Sequence, residues 1–270
     1  MNICFIGGGN MAAAIIGGLL EAKYAAKEQL RVVEINPDSR AKLQGGFGVQ
    51  ATDELAAGVA GSNVVVLAVK PQQLREVALQ LKPLLSGQMV LSIAAGIRAA
   101  DLARWLETQN VVRAMPNTPA LVRKGVTGLY ALPQVSKAHR EISESILRAV
   151  GAHSWLEDEA QLDAVTAISG SGPAYVFYFI EAMLQAAREL GLSEAQARNL
   201  AYETFAGATE LAKQSCEEPA TLRARVTSKN GTTERALLSM EANHVKQHII
   251  EAAKAAAARS KEMGDELGKD

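Results

Sequence analysis

The sequence predicts an α/β fold that gives way to an all-α region: a doubly wound, mostly parallel sheet first, then helices. Three observations predict it. Residues 1–36 read as strand, glycine turn, helix and strand, and Val64 to Val69 is apolar throughout. From about Glu159 onward no strand pattern recurs. The 270 residues suit two domains, and the change in pattern divides them into 1–157 and 158–270.

In chain order, Ile3, Phe5 and Ile6 form a short strand that stops at Gly7-Gly8-Gly9-Asn10-Met11-Ala12. A helix follows through Ile15, Ile16, Leu19 and Leu20, and a second strand, Leu30 to Ile35, ends at Asn36-Pro37-Asp38. Glycine permits a tight turn and the close approach of a pyrophosphate, whose charge sits on the free amides of the helix start. The G-x-G-x-x-A spacing is weak alone; set between two strands and before a helix, it predicts a bound dinucleotide. A short helix is expected from Asp38 to Leu43, then a glycine-rich turn at Gly45-Gly46. Val64 to Val69 has the apolar continuity of a strand covered on both faces. Pro71 suits the first turn of a helix reaching about Leu81.

Strands at Met89 to Ile93 and Asn110 to Ala114 end in Ala94-Ala95-Gly96 and Met115-Pro116-Asn117-Thr118-Pro119. In an open parallel sheet, ligands lie beyond the carboxyl ends of the strands. Gly7 to Met11, Ala68-Val69-Lys70-Pro71, Ala94 to Gly96 and Met115 to Pro119 are therefore expected to converge on one crevice. A strand from Val126 to Ala131, a helix from Ser136 to Val150 and a strand near His153 to Leu156 complete the first domain.

The helical region opens with Pro173 to Leu190, closed by Gly191 in the usual C′ position. Its first half, Ala174-Tyr175-Val176-Phe177-Tyr178-Phe179-Ile180, is apolar on every side and so has to be buried on every side. A domain of roughly a hundred residues has little room for that, which points to burial against a second subunit. Ser193 and Gln196 have the spacing of a capping box for a helix reaching about Gln214.

Composition narrows the function. A net charge of −1 gives no electrostatic reason to expect nucleic acid or an anionic membrane, so a small-molecule substrate is expected. Cys4 and Cys216 make no disulfide framework, and Cys4 reads as a buried, inert thiol. The first strand begins almost at Met1, which predicts no signal peptide, and no apolar run has membrane-spanning length. A cytoplasmic protein is expected. His244 and His248 stand four apart in a helical pattern, but no further ligands accompany them, so no metal site is expected.

The densest cluster of small polar residues lies late, at Val226-Thr227-Ser228-Lys229-Asn230-Gly231-Thr232-Thr233-Glu234-Arg235. A short helix, Thr221 to Arg225, enters it and a long one leaves through Ala236, Leu237 and Met240. Thr232 or Thr233 is the expected N-cap, with Glu234 in the first turn. One capping residue is enough for a helix; five small or hydroxyl-bearing residues (Thr227, Ser228, Gly231, Thr232 and Thr233) suggest a seat for a carboxylate.

The stretch Ser228 to Leu237 resembles the signature of the Δ1-pyrroline-5-carboxylate reductases. So, in the same order, do Phe5 to Ala12, Ala68 to Pro71, Met115 to Pro119 and Ile168-Ser169-Gly170-Ser171-Gly172-Pro173-Ala174-Tyr175. The resemblance spans the chain. It implies a Rossmann domain followed by a helical domain that intertwines in a homodimer, often assembled further into a five-dimer ring, a decamer. It implies NAD(P)H-dependent reduction of the cyclic imine 1-pyrroline-5-carboxylate to L-proline, the last step of proline biosynthesis, in a site drawing on helical segments of both subunits. On this reading Ser228, Gly231 and Thr232 hold the substrate carboxylate, Met115 and Asn117 line the substrate, and Thr233 meets the imine nitrogen. Ile6, Gly7, Gly8, Gly9, Asn10, Met11, Asn36, Ala68, Val69, Lys70, Pro71, Ala94, Ala95 and Gly96 hold the cofactor.

Glu34 favours NADH, because a carboxylate can accept from a ribose hydroxyl and repels a 2′-phosphate. Arg40 offers a cation that would offset it, and the resemblance favours NADPH, with NADH also accepted. Two other readings stand beside this one. A β-hydroxyacid dehydrogenase would use Lys229 as general acid and base, and a dinucleotide-binding sensor would need no anchor for a small anion.

Overall fold

The computed structural model describes residues 1–269. It comprises two compact units: Met1–Pro173 together with the chain from Lys254 onward, and Ala174–Ala253.

The first unit is built on one eight-stranded sheet: β1 (Ile3–Ile6), β2 (Leu30–Val33), β3 (Gln50–Thr52), β4 (Val64–Leu67), β5 (Met89–Ser92), β6 (Val111–Met115), β7 (Gly125–Ala131) and β8 (Gly151–Trp155). Their order is β3-β2-β1-β4-β5-β6-β7-β8. β1 to β6 run parallel, β7 is antiparallel to β6, and β8 is parallel to β7. Every residue of β1, β4 and β5 is buried, as the apolar sequences of β1 and β4, and of β5 up to Ser92, require of strands covered on both faces. The strand order reverses at β1, which pairs with β2 on one side and β4 on the other, and such a reversal opens a crevice at the carboxyl ends.

Helices α1 (Asn10–Glu21), α2 (Pro37–Phe47), α3 (Leu55–Val59), α4 (Pro71–Leu81), α5 (Ala99–Leu106), α6 (Lys137–Arg148) and α7 (Gln161–Val165) connect the strands or pack on them. α2 corrects the sequence reading: it runs through Gly45 and Gly46, which were expected to turn. Its ends are strong enough to carry two poor helix formers. The Asn36 side chain accepts from Ser39 N–H at 2.9 Å, Pro37 stands at the first position, and the chain leaves at Gly48 with φ +68°.

The compact units divide the chain differently from the boundary at 157/158. α7 stays with the sheet: Leu162 is fully buried, and Val165 lies so close over Gly128 that a Cβ there would come within 2.8 Å. The end of the last helix, α12 (Val245–Leu267), also belongs to the first unit. Ser260 donates to Asp163 Oδ1 at 2.7 Å, Arg104 donates to Gly268 O at 2.8 Å, and Arg98 pairs with Asp265.

The Arg98 hydrogen bond holds the Asp265 carboxyl below its ordinary range, with Lys261 adding to the effect. A depressed folded value means that the contribution is present above the ordinary carboxylate pKa and is lost as pH falls through the folded one. The melting temperatures of the native protein and Arg98→Met are therefore expected to differ at neutral pH and to converge only as pH falls below the ordinary carboxylate value of about 4 and through the lower folded one. Equal melting temperatures at neutral pH would show that the pair does not hold the helix end.

The second unit contains most of α8 (Gly172–Glu189), then α9 (Glu194–Ser215), α10 (Pro219–Arg225), α11 (Thr232–Ala242) and the first turns of α12. The Ser193–Gln196 capping box is formed. This unit's core is small, centred on Leu184, Ala197 and Ala201. Leu184 is the one buried residue of α8, while Phe177 and Tyr178 are 59% and 72% exposed, so a single chain does not cover the apolar helix. His244, expected on a helix with His248, instead sits between α11 and α12 with φ +52°. Among the described residues, no helix is long and apolar enough to cross a membrane.

Candidate active site

At the carboxyl end of β1 the chain turns on Gly7, whose φ is +99°. Gly7 donates its N–H to Val33 O at 2.8 Å, and a Cβ on it would stand 2.7 Å from Ala68 O and 3.0 Å from Val69 N. Ile6, Gly7, Ala68 and Val69 are thus brought together, with Ala68 N–H donating to Ile6 O at 2.8 Å. Gly9 caps α1 in extended conformation, and the helix's own bonding begins with Ala13 N–H to Gly9 O. The amides of Asn10, Met11 and Ala12 precede that first bond and are left to an anion. A turn with no room for Cβ, facing free amides, fits a dinucleotide pyrophosphate.

The other cofactor candidates divide. Lys70 is exposed at the cap of α4, with Pro71 at its first position. Ala94 is buried, and Gly96 (φ +74°) is packed by Met263, so its missing side chain is explained by α12. Glu34, which sequence reading aimed at a ribose, is held by the backbone: Oε2 accepts from Gly8 N–H and Oε1 from Asn36 N–H, both at 2.8 Å. Burial pushes the Cys4 thiol up to about 12, so it stays protonated and unreactive.

Met115 and Asn117, expected at the substrate, both brace a π-helical turn over Thr166–Gly170. Asn117 donates from Nδ2 to Ser169 O at 3.0 Å and accepts from Val126 N–H at 2.9 Å. Met115 Cε lies against Gly170, 2.7 Å from where a Cβ would stand. The buried Asn117 amide is therefore committed to backbone on both sides. This tie joins residues 52 apart, and no local sequence signal carries it. π turns are rare, and those that occur are frequently at functional sites.

In the second unit, Ser228, Gly231, Thr232 and Thr233 do come together, at the start of α11. The N-cap is Gly231, with no side-chain cap, so Thr232 and Thr233 are the first two helical residues rather than the expected cap. A Cβ at residue 231 would lie 2.4 Å from Ser228 Oγ; glycine is what lets that hydroxyl approach. Asn230 is left-handed (φ +62°) and donates its N–H to Glu234 Oε2 at 2.6 Å. Helical bonding starts with Arg235 N–H to Gly231 O, which leaves the amides of Thr232, Thr233 and Glu234 for a ligand. Thr227 is not part of this seat: its hydroxyl donates to Arg223 O at 2.6 Å. Lys229 is exposed.

Glycine turn, strand-order reversal and helical second unit together define a dinucleotide-binding oxidoreductase of the kind that appends helices to a Rossmann sheet. Comparison with known proteins carries this further. The family profile described as pyrroline-5-carboxylate reductase dimerisation matches residues 159–263, and one described as NADP oxidoreductase, coenzyme F420-dependent, matches residues 2–96. A pyrroline-5-carboxylate reductase of Pseudomonas aeruginosa is 49% identical over 99% of this chain and 98% of its own length. A solved pyrroline-5-carboxylate reductase of Coxiella burnetii superposes with a TM-score of 0.91 at 40% identity, covering 97% of this chain and 98% of that one. A Plasmodium falciparum pyrroline carboxylate reductase solved with NADP bound gives 0.89 at 30% identity, with 98% of each chain covered. The chain belongs to the pyrroline-5-carboxylate reductase family.

Proposed function

We propose that the protein reduces 1-pyrroline-5-carboxylate to L-proline with NADPH, NADH also being accepted. The observation that carries this reading is the start of α11, where Ser228 Oγ lies against Gly231 and the amides of Thr232, Thr233 and Glu234 precede the first helical bond, a fit for a small anion.

When bound, the reduced nicotinamide supplies the hydride. The chain's own residues bind and orient. Gly7, Gly8 and Gly9, with the amides of Asn10 and Met11, receive the pyrophosphate; Ile6, Asn36, Ala68, Val69, Lys70, Pro71 and the Ala94–Gly96 loop line the rest of the dinucleotide. Ser228 Oγ and the amides of Thr232 and Thr233 hold the imino acid's carboxylate, and Gly231 makes room for that approach. The Thr233 hydroxyl hydrogen-bonds the ring nitrogen. Threonine is a weak acid, so the proton comes from water through that hydroxyl or is already on the substrate. An imine is a good electrophile, and most of the rate then comes from positioning. Met115 and Asn117 act at one remove, by fixing the turn Thr166–Gly170.

The exposed apolar face of α8 and the dimerisation match support a homodimer; further assembly into a decamer and a cytoplasmic location are proposed from the family resemblance alone. Functionally the chain divides at residues 157/158 into nucleotide-binding and substrate-binding halves. Mixing purified protein, NADPH and 1-pyrroline-5-carboxylate is expected to consume the nicotinamide absorbance and yield proline one for one. Stable absorbance with a competent substrate sample would overturn the proposal.

A further inference from the structure

We infer that Glu34, with the Arg40–Asp53 ion pair behind it, sets how the protein chooses between the two forms of the dinucleotide, a role that rests on the proposed nucleotide site. Glu34 follows β2 directly, at the place where sheets of this type meet the adenosine ribose. Its carboxylate is half-buried and fixed at both oxygens by the backbone N–H groups of Gly8 and Asn36. Swinging it away would orphan two amides, one of them in the glycine turn itself. The charge therefore stays where it is when a nucleotide arrives. Each oxygen keeps a lone pair for a ribose hydroxyl, whereas a 2′-phosphate meets a fixed negative charge.

The cation that would offset this is engaged elsewhere. Arg40 Nη1 donates to Glu34 O at 2.7 Å and Ile35 O at 3.0 Å, and its Nη2 pairs with Asp53 Oδ2 at 3.0 Å. The first turn of α2 adds another acid, Asp38. The guanidinium at the end of β2 is thus committed to two backbone carbonyls and to Asp53. This is the arrangement of a site that keeps NADH as a working cofactor and restrains its preference for NADPH.

The test is binding, read from nicotinamide fluorescence in the full chain without imino acid. The native protein is expected to bind NADH and NADPH within about tenfold of each other. Glu34→Gln removes the charge and keeps an acceptor; it is expected to tighten NADPH and weaken NADH, moving their ratio about tenfold. Equal changes in both, or none, overturn the inference. If Glu34→Gln does not fold, Asp53→Asn decides: Asp53 is exposed, and releasing Arg40 from it is expected to tighten NADPH severalfold and leave NADH unchanged. An unaltered ratio there also overturns the inference. Failure of the native protein to bind either nucleotide is a separate result, and sinks the proposed nucleotide site itself.

Discussion

Gly7→Ala is expected to abolish tight dinucleotide binding and to destabilise the sheet unit by about 2–4 kcal/mol. Two costs coincide at this residue. Its φ of +99° lies where a side chain is strained, and the added Cβ would stand 2.7 Å from Ala68 O and 2.8 Å from Ala68 C. Those atoms are backbone at the end of β4, bonded back to Ile6 O, so they cannot rotate aside as a flexible side chain would. Relief has to come from pushing the glycine turn away from β4, which widens the crevice the nucleotide must fit.

Gly9→Ala is the control. Nothing lies within 4 Å of a Cβ there, and its φ of −70° is ordinary. Its stability is expected to change by less than about 0.5 kcal/mol, while nucleotide affinity falls because a methyl group then stands where the pyrophosphate approaches. Denaturant unfolding and fluorescence titration of the two variants separate fold from ligand. Native affinity in Gly7→Ala would show that the turn does not hold the dinucleotide.

What the sequence revealed and what it concealed divide along physical lines. The βαβ unit was legible because each of its parts has a local cause: an apolar strand, a glycine turn, a helical apolar stripe. β4 was legible because burial on both faces leaves no polar residue in it. β3, α3 and α5 were not, since they lack the unbroken apolar run that marks β4, and three to eight residues hold too few periods to signal otherwise. Gly45 and Gly46 looked like a turn because composition shows the weak middle of α2 and hides the strength of its ends.

The site shows the same division. The hydroxyls at Ser228, Thr232 and Thr233 announced themselves by number, more than any cap needs. Their ranking did not: only the folded structure shows that Gly231 is the cap, that Thr227 bonds to Arg223, and that Glu234 steadies Asn230. Asn117 is harder still. A strand-end asparagine beside two prolines suggests ligand contact, yet its partners are Val126 N–H and Ser169 O, the second reached only through tertiary folding. Glu34 and Arg40 carry charges that sequence can count but cannot aim, and both turn out to be spent largely on backbone.

Thr233→Ala is expected to lower kcat/KM for the cyclic imine about 10²-fold, roughly 2.7 kcal/mol of transition-state stabilisation, and to leave nucleotide affinity unchanged. Thr233 sits in the first turn of α11 with the amides proposed to receive the carboxylate, so an imino acid bound there would present its ring nitrogen, one carbon away, to the same turn. Removing the hydroxyl leaves that nitrogen's developing charge without its partner, while the carboxylate keeps its seat; the loss should fall more on kcat than on KM. Because Gly231 caps α11 without any side-chain bond, taking the hydroxyl from Thr233 removes no cap, and the fold should be nearly as stable as before. Thr233→Val keeps the shape and loses only the hydroxyl, so it should match Thr233→Ala, whereas Thr233→Ser should restore activity to within about fivefold of native. Thr227→Ala serves as the neighbouring control, its hydroxyl being spent on Arg223 O. An active Thr233→Val would transfer the proton's path from this side chain to bound water, and the start of α11 would be left with the anchoring of the carboxylate alone.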